Sequence, residues 1–135
     1  MSGAERFFDT NVLLYLLSAD PAKADRVERM LASGATVSVQ VLNEFAAVAV
    51  GKLGMTIAEA REALAAITAA CGVTPLTLEV HERGLQIAER YGFSIYDSLI
   101  VAAALESGCS TLYTEDLQDG QRIERVLSVR NPFRT

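Results

Sequence analysis

Residues 6–17, "RFFDTNVLLYLL", join an apolar strand-like run to an apolar helical run through the polar triplet Asp9-Thr10-Asn11. Residues 5–9 predict a short buried strand, and residues 11–18 predict a helix. Two readings of Asp9 follow. Asp is a favoured helix N-cap, so it can simply start the helix. Alternatively it belongs to an acidic site, which requires other carboxylates to meet it in space.

The same strand-then-helix grammar continues along the chain. Asp20 as N-cap and Pro21 at the first helical position predict a helix with Val27, Met30 and Leu31 on its apolar face, closed by Gly34. "ATVSV" (35–39) is a β-branched strand, and "VLNEFAAVAVGKL" (41–53) is a helix apolar on all sides, hence expected to be buried. Thr56-Ile57-Ala58-Glu59 is a capping box opening a helix that ends near Gly72. "VTPL" (73–76) reads as a weak strand, and residues 77–92 as a helix with Leu78, Leu85 and Ile87 apolar. "SIYDSLIVAAALESG" (94–108) is a strong helix, "STLYT" (110–114) a strand, "EDLQDG" (115–120) a loop and "RVLSV" (125–129) a last strand. Strands alternating with helices predict an α/β fold, a three-layer α/β/α sandwich on a mainly parallel central sheet, with residues 1–135 as one domain. No linker, repeat or low-complexity tract interrupts it.

In such sheets ligands bind at the carboxyl ends of strands, near a switch in strand order. Asp9 ends the first strand, and Asp116 follows "TLYT" by two residues. Glu44 lies in the first turns of the helix after the second strand, and Asp97 in the first turn of the 94–108 helix. All four acids are therefore expected on one rim. Each also has a local explanation. Asp97 fits a capping box with Ser94, and Asp116 fits a turn. Glu44 resists that treatment. Its helical neighbours are Gln40, Val41, Ala47, Val48 and Gly51, and a carboxylate on an apolar helix needs a partner or a metal. Lysine occurs only at 23 and 52, so acids without matching bases favour a hard divalent cation such as Mg2+. Asn11 and Thr114 are placed to support such a site. Asp119, before Gly120, is an extra acid that reads equally as a turn residue.

Composition narrows the classes further. The chain has 135 residues, 50% of them hydrophobic, enough for one sizeable core with apolar surface to spare for a partner. No apolar run approaches the roughly 18–20 residues that span a bilayer, and "MSGAERFFD" has no signal-peptide pattern. Cys71 and Cys109 stand in no CxxC pattern and are expected as buried thiols of a cytoplasmic protein. The net charge of −5 argues against nucleic-acid binding when taken alone, but acids gathered around a metal reverse the local sign. Arg122, Arg125, Arg130 and Arg134 suit bidentate phosphate contacts; a solvated basic face explains them as well.

"FFDTNVLLYLL", "VQVLNEF", "YDSLIVAAAL" and "LYTEDLQDG", in that order, resemble the PIN-domain ribonucleases, and more narrowly the VapC-type toxins of bacterial toxin–antitoxin pairs. The resemblance runs from residue 6 to about residue 129. It implies a PIN-like fold and an acidic site formed by Asp9, Glu44, Asp97 and Asp116. Asn11 and Thr114 would be its polar supports, with Asp116 the least secure member. It also implies Mg2+ or Mn2+, endonucleolytic RNA cleavage, a homodimer and a VapB-like antitoxin that covers the site.

Rival classes leave weaker traces. "DTNV" is similar to the aspartyl-nucleophile pattern of haloacid-dehalogenase-like phosphatases, but Asn11 replaces the second Asp and no lysine follows Lys52. The same missing lysine excludes a receiver domain. His81 is the only histidine and lies on a predicted helix, without a nucleophile elbow. No P-loop, GxGxxG or zinc spacing is present. A non-catalytic interaction module, its acids serving as caps and turns, is the remaining alternative.

Overall fold

A computed structural model describes residues 5–134; residues 1–4, where the stretch read above for a signal peptide begins, and residue 135 lie outside the described residues. Six strands form one sheet in the order β3-β2-β1-β4-β6-β5. They are β1 (Arg6–Phe8), β2 (Ala35–Ser38), β3 (Cys71–Thr74), β4 (Thr111–Tyr113), β5 (Arg122–Ile123) and β6 (Leu127–Arg130). All neighbours pair in parallel except β5 and β6, which are antiparallel. The chain steps outward from β1 to β2 to β3 and then returns to β4 on the other side of β1. Right-handed crossovers consequently place the helices of the outward steps on one face and those of the return on the other. This is the expected sandwich.

The outward helices are α1 (Thr10–Leu13), α2 (Pro21–Ala32), α3 (Val39–Gly51) and α4 (Ile57–Ala70); the return carries α5 (Leu78–Tyr91) and α6 (Ile95–Glu106). Among the described residues no helix is long and apolar enough to cross a membrane. The anticipated caps form. Asp20 accepts from Ala22 N and Lys23 N, and both halves of the Thr56–Glu59 box are made. Gly34, Gly92 and Gly108 end their helices at positive φ. His81 is an exposed helix-surface residue, as expected. The core joins Phe7 and Phe8 of β1 to Leu112 of β4, Val37 of β2, Phe45 of α3 and the buried run Ile100–Ala104 of α6.

Several expectations are corrected. The helix expected over 11–18 is one α-helical turn followed by a 3-10 turn, Leu14–Leu17. Helix α3 starts two residues before Val41, because the Ser38 hydroxyl caps it by accepting from Val41 N. It is not buried on all sides: Val41, Phe45 and Ala49 form a buried stripe while Asn43 and Ala47 are exposed. The weak strand lies at 71–74 rather than 73–76, since Pro75 has no N–H to extend the ladder with β2. Strand β5 was not anticipated. Its hairpin with β6 turns through Glu124 and Arg125 at φ 53° and 60°, without the Gly or Asn that normally marks such a turn. Tyr91 supplies the compensation: its hydroxyl accepts from Glu124 N and donates to Glu124 Oε2, each at 2.9 Å. Cys71 and Cys109 are not joined by a disulfide; Cys109 is buried, and Cys71 only half-buried.

Candidate functional site

The order of strands reverses between β1 and β4, so the crevice at their carboxyl ends is the topological switch point. Asp9 is the first residue beyond β1, and its backbone N–H extends the ladder to Tyr113 O at 3.0 Å. The residue is buried, 4% exposed. Oδ1 accepts from Thr10 N at 2.6 Å, so the expected helix-cap role is real. Oδ2 accepts from Thr114 Oγ1 at 2.8 Å and, more weakly, from Asn11 Nδ2 at 3.4 Å. Capping and site roles coexist in one side chain.

Thr114 is fully buried and every capacity of its hydroxyl is used. It donates to Asp9 and accepts from Asn11 Nδ2 at 3.1 Å and from Asp116 N at 3.0 Å. With both lone pairs taken, its proton must point at Asp9. Asn11 closes the frame by accepting from Glu115 N at 3.1 Å. The loop after β4 is thereby tied to the loop after β1.

Asp97 reaches the same place from the return layer. Ser94 caps α6 by accepting from Asp97 N at 3.1 Å, which fixes the first turn that carries the Asp97 carboxylate. One carboxylate oxygen each from Asp9, Asp97 and Asp116 lies within 4.8 Å of the others. The three grade from buried to half-buried to exposed, so the cluster opens to solvent on the Asp116 side. Neither ion pair among the described residues involves any of them. Burial pushes the Asp9 pKa up to about 7, with the Asp97 and Asp116 charges adding to it and the Thr114 and Thr10 hydrogen bonds opposing. Asp97 is also raised, by burial first and then by the charges of Asp116 and Glu44.

Glu44 stands beside this group rather than inside it. Thr10 Oγ1 donates to its Oε1 and Gln40 Nε2 to its Oε2, both at 2.8 Å. The partner that its apolar helix demanded is thus a pair of neutral donors. Thr10 and Gln40 are the site-forming residues that sequence reasoning left without a role. Gln40 sits one helical turn before Glu44, a spacing at which side chains meet; Thr10 is brought in by the fold. Asp119 lies elsewhere and behaves as a turn residue, with Oδ1 accepting from Asn131 N at 2.7 Å.

An all-oxygen donor set with no cationic side chain suits a hard divalent ion. The spread of up to 4.8 Å is on the scale of the roughly 4.2 Å that separates opposite ligands around octahedral Mg2+. The residues present fit such an ion.

Fold and site together define a class: an open, mostly parallel α/β sheet with an acidic cluster at its switch point. More specifically, the chain belongs to the PIN domain family, whose model it matches over residues 6–124. No curated protein matches it in sequence. Among solved structures it is similar to a toxin–antitoxin complex from Klebsiella pneumoniae, with 21% identity, a TM-score of 0.71, and 96% of this chain and 99% of that chain covered. It is also similar to VapC20 of Mycobacterium tuberculosis, a Sarcin-Ricin loop cleaving toxin, with 22% identity, a TM-score of 0.67 and coverage of 82% and 89%. DNA-bound VapBC from Salmonella typhimurium matches at 18% identity and a TM-score of 0.71, with coverage of 95% and 98%. At these identities the likeness speaks to the fold.

Proposed function

We propose that this chain is a divalent-metal-dependent endoribonuclease, the toxin of a toxin–antitoxin pair, and that residues 1–135 act as one PIN unit. The observation that carries the reading is the meeting of Asp9, Asp97 and Asp116 at the open switch edge, without a basic side chain to neutralise them. PIN family membership and the likeness to toxin structures support it.

In this reading Asp9, Asp97 and Asp116 hold Mg2+ or Mn2+, and Glu44 completes the site from beside Asp97. A bound divalent ion supplies charge neutralisation for the scissile phosphate and lowers the pKa of water. The chain's own residues do the rest. Thr10 N and Thr114 fix the Asp9 carboxylate, and Ser94 fixes Asp97. Asn11, or an ionised carboxylate of the cluster, orients the attacking water. The water gives up one proton to solvent as its oxygen adds in line to phosphorus, and the bond to the 3′ oxygen breaks. That oxygen takes up a proton, leaving a 5′-phosphate and a 3′-hydroxyl.

The partners follow from the same reading: RNA as substrate, a second copy of the chain, and a VapB-like antitoxin over the site, in the cytoplasm. Ile95 and Tyr96, 50% and 65% exposed immediately before Asp97, offer apolar surface at the site's rim for a covering protein. The test is cleavage of a mixed cellular RNA pool with Mg2+ or Mn2+, with EDTA, and by Asp97→Ala. Discrete products that need both the metal and Asp97 are expected. Intact RNA, together with no metal binding by calorimetry, would return the chain to the interaction-module class.

A further inference from the structure

A second concave feature stands apart from the acidic cluster and carries the opposite charge. A groove of about 680 Å³ lies between α2, the β1–β4–β6 face of the sheet and the segment after β6. Arg6, Arg26, Arg29, Arg130 and Arg134 line it, and no carboxylate does. Half of the chain's ten arginines therefore meet in one groove of a protein whose net charge is −5. Among the described residues none of the five is in an ion pair; the two ion pairs use Arg83 and Arg90.

Two of the arginines build the walls. Arg6 Nη2 donates to Met30 O at 3.2 Å, its guanidinium lies 5.6 Å from the Tyr113 ring centroid, and its buried Nε has no partner. Arg26 Nε donates to Pro132 O, which pins the C-terminal segment to α2. Arg29, Arg130 and Arg134 are exposed, and their side chains make no hydrogen bond within the described residues. Gathering five like charges costs free energy unless something anionic joins them, and a groove lined by one sign of charge focuses its field outward. Guanidinium forks match phosphate bidentately.

The groove and the acid cluster are linked through the end of β4. Tyr113 lines it, and the next residue, Thr114, holds Asp9. Arg130 lines it too, and its carbonyl accepts from Thr114 N at 3.0 Å. We propose that this arginine groove is a phosphate-binding site for the single-stranded RNA backbone flanking the scissile bond, with Tyr113 as an aromatic contact for a base. The identity of the ligand rests on the ribonuclease reading; the groove itself does not. Arginines here offset the repulsion that an acidic pocket exerts on an approaching polyanion. Of the four C-terminal arginines left open in the sequence, Arg130 and Arg134 are assigned this role. Arg122 instead donates to Arg125 O at 2.8 Å within the hairpin turn.

The test is anisotropy of a fluorescein-labelled ten-nucleotide oligouridine, in EDTA so that binding is read without cleavage, across a salt series. The triple variant Arg29→Ala/Arg130→Ala/Arg134→Ala is compared with the native chain and with Lys52→Ala/Arg61→Ala, whose sites are exposed and outside the groove. Three lost phosphate contacts should lower the salt slope by about 2 and weaken binding at low salt by about tenfold or more. The control pair should bind like the native chain, and thermal melting should report all three folded. RNA binding unchanged in the triple variant overturns the proposal, as does a native chain that binds no RNA. An acidic peptide that needs the three arginines while RNA does not would assign the groove to a protein partner and also overturn it. Arginine-dependent RNA binding in a chain that cleaves nothing with Mg2+ or Mn2+ would keep the groove and remove the nuclease reading.

Discussion

Thr114 and Asp9, 105 residues apart in sequence, are joined by a 2.8 Å hydrogen bond in which the hydroxyl donates to the carboxylate. The same hydroxyl accepts from Asp116 N at 3.0 Å, so one side chain sets the positions of two of the three clustered acids. Thr114→Val keeps the shape and removes the hydroxyl. RNA cleavage should fall about 10- to 100-fold, the range for groups that orient metal ligands. Stability should fall by about 1–3 kcal/mol, because Asp116 N loses its partner. Thr114→Ser should restore most of the activity. Cleavage unchanged in the valine variant would show that Asp9 needs no such support.

The acids should not be equivalent. Asp97→Asn removes a member of the 4.8 Å cluster and should lower cleavage about 100- to 1,000-fold, the order expected when a group that stabilises developing charge is lost. Glu44→Gln keeps the acceptor for Thr10, but it removes the charge and turns the oxygen that accepts from Gln40 Nε2 into an amide donor. It should cost about 10- to 100-fold. Steady-state cleavage by the two variants side by side checks the order, and equal losses would place Glu44 inside the cluster.

Burial sets the pH dependence of the metal-free protein. Burial raises the Asp9 pKa from the ordinary 3.8 to about 7 in the folded state, so the folded protein holds a proton that the unfolded chain releases. Stability is therefore highest below about pH 4 for this group and is lost as pH rises toward 7. The gap sets a ceiling on the order of 4 kcal/mol on that loss. In EDTA the native chain should lose more melting temperature between pH 5 and pH 8 than Asp9→Asn does. Mg2+ should raise Tm more at pH 8, where Asp9 is ionised. Equal pH profiles for the two proteins would contradict the buried carboxyl.

The seating of α6 depends on Gly84. A Cβ there would lie 2.7 Å from Leu99 Cδ2 and 3.4 Å from Leu99 Cα. Gly84→Ala must displace either the buried Leu99 side chain or α5 itself from α6, the helix that carries Asp97. A loss of about 1–3 kcal/mol in denaturant unfolding is expected, as for overpacked cores. An unchanged midpoint would mean that Leu99 yields freely.

What was legible in the sequence was local. Apolar runs bounded by caps gave β1, α2, α4, α5 and α6 nearly in place, because Asp20, Thr56 and Gly92 act within one turn of themselves. Alternation of elements then implies a parallel sheet, and with it a shared rim for Asp9, Glu44, Asp97 and Asp116, of which Asp9, Asp97 and Asp116 form the cluster and Glu44 stands beside it. Long-range compensation was not legible. The β5–β6 turn carries Glu124 and Arg125 at positive φ because Tyr91, on another layer, holds it. Strand β3 begins at Cys71-Gly72, a weak strand sequence made regular by its parallel neighbour. Glu44 looked unpartnered because Thr10, 34 residues away, is not visible from its own helix.

In the proposed enzyme Asp9, Asp97 and Asp116 form one divalent-metal site. Calorimetric titration of Mn2+ into the metal-free protein at pH 8, beside Asp97→Asn, tests it most directly. Saturable binding by the native chain, weakened about 100-fold or more in the variant, is expected. No binding by the native chain, or equal binding by both, would contradict it.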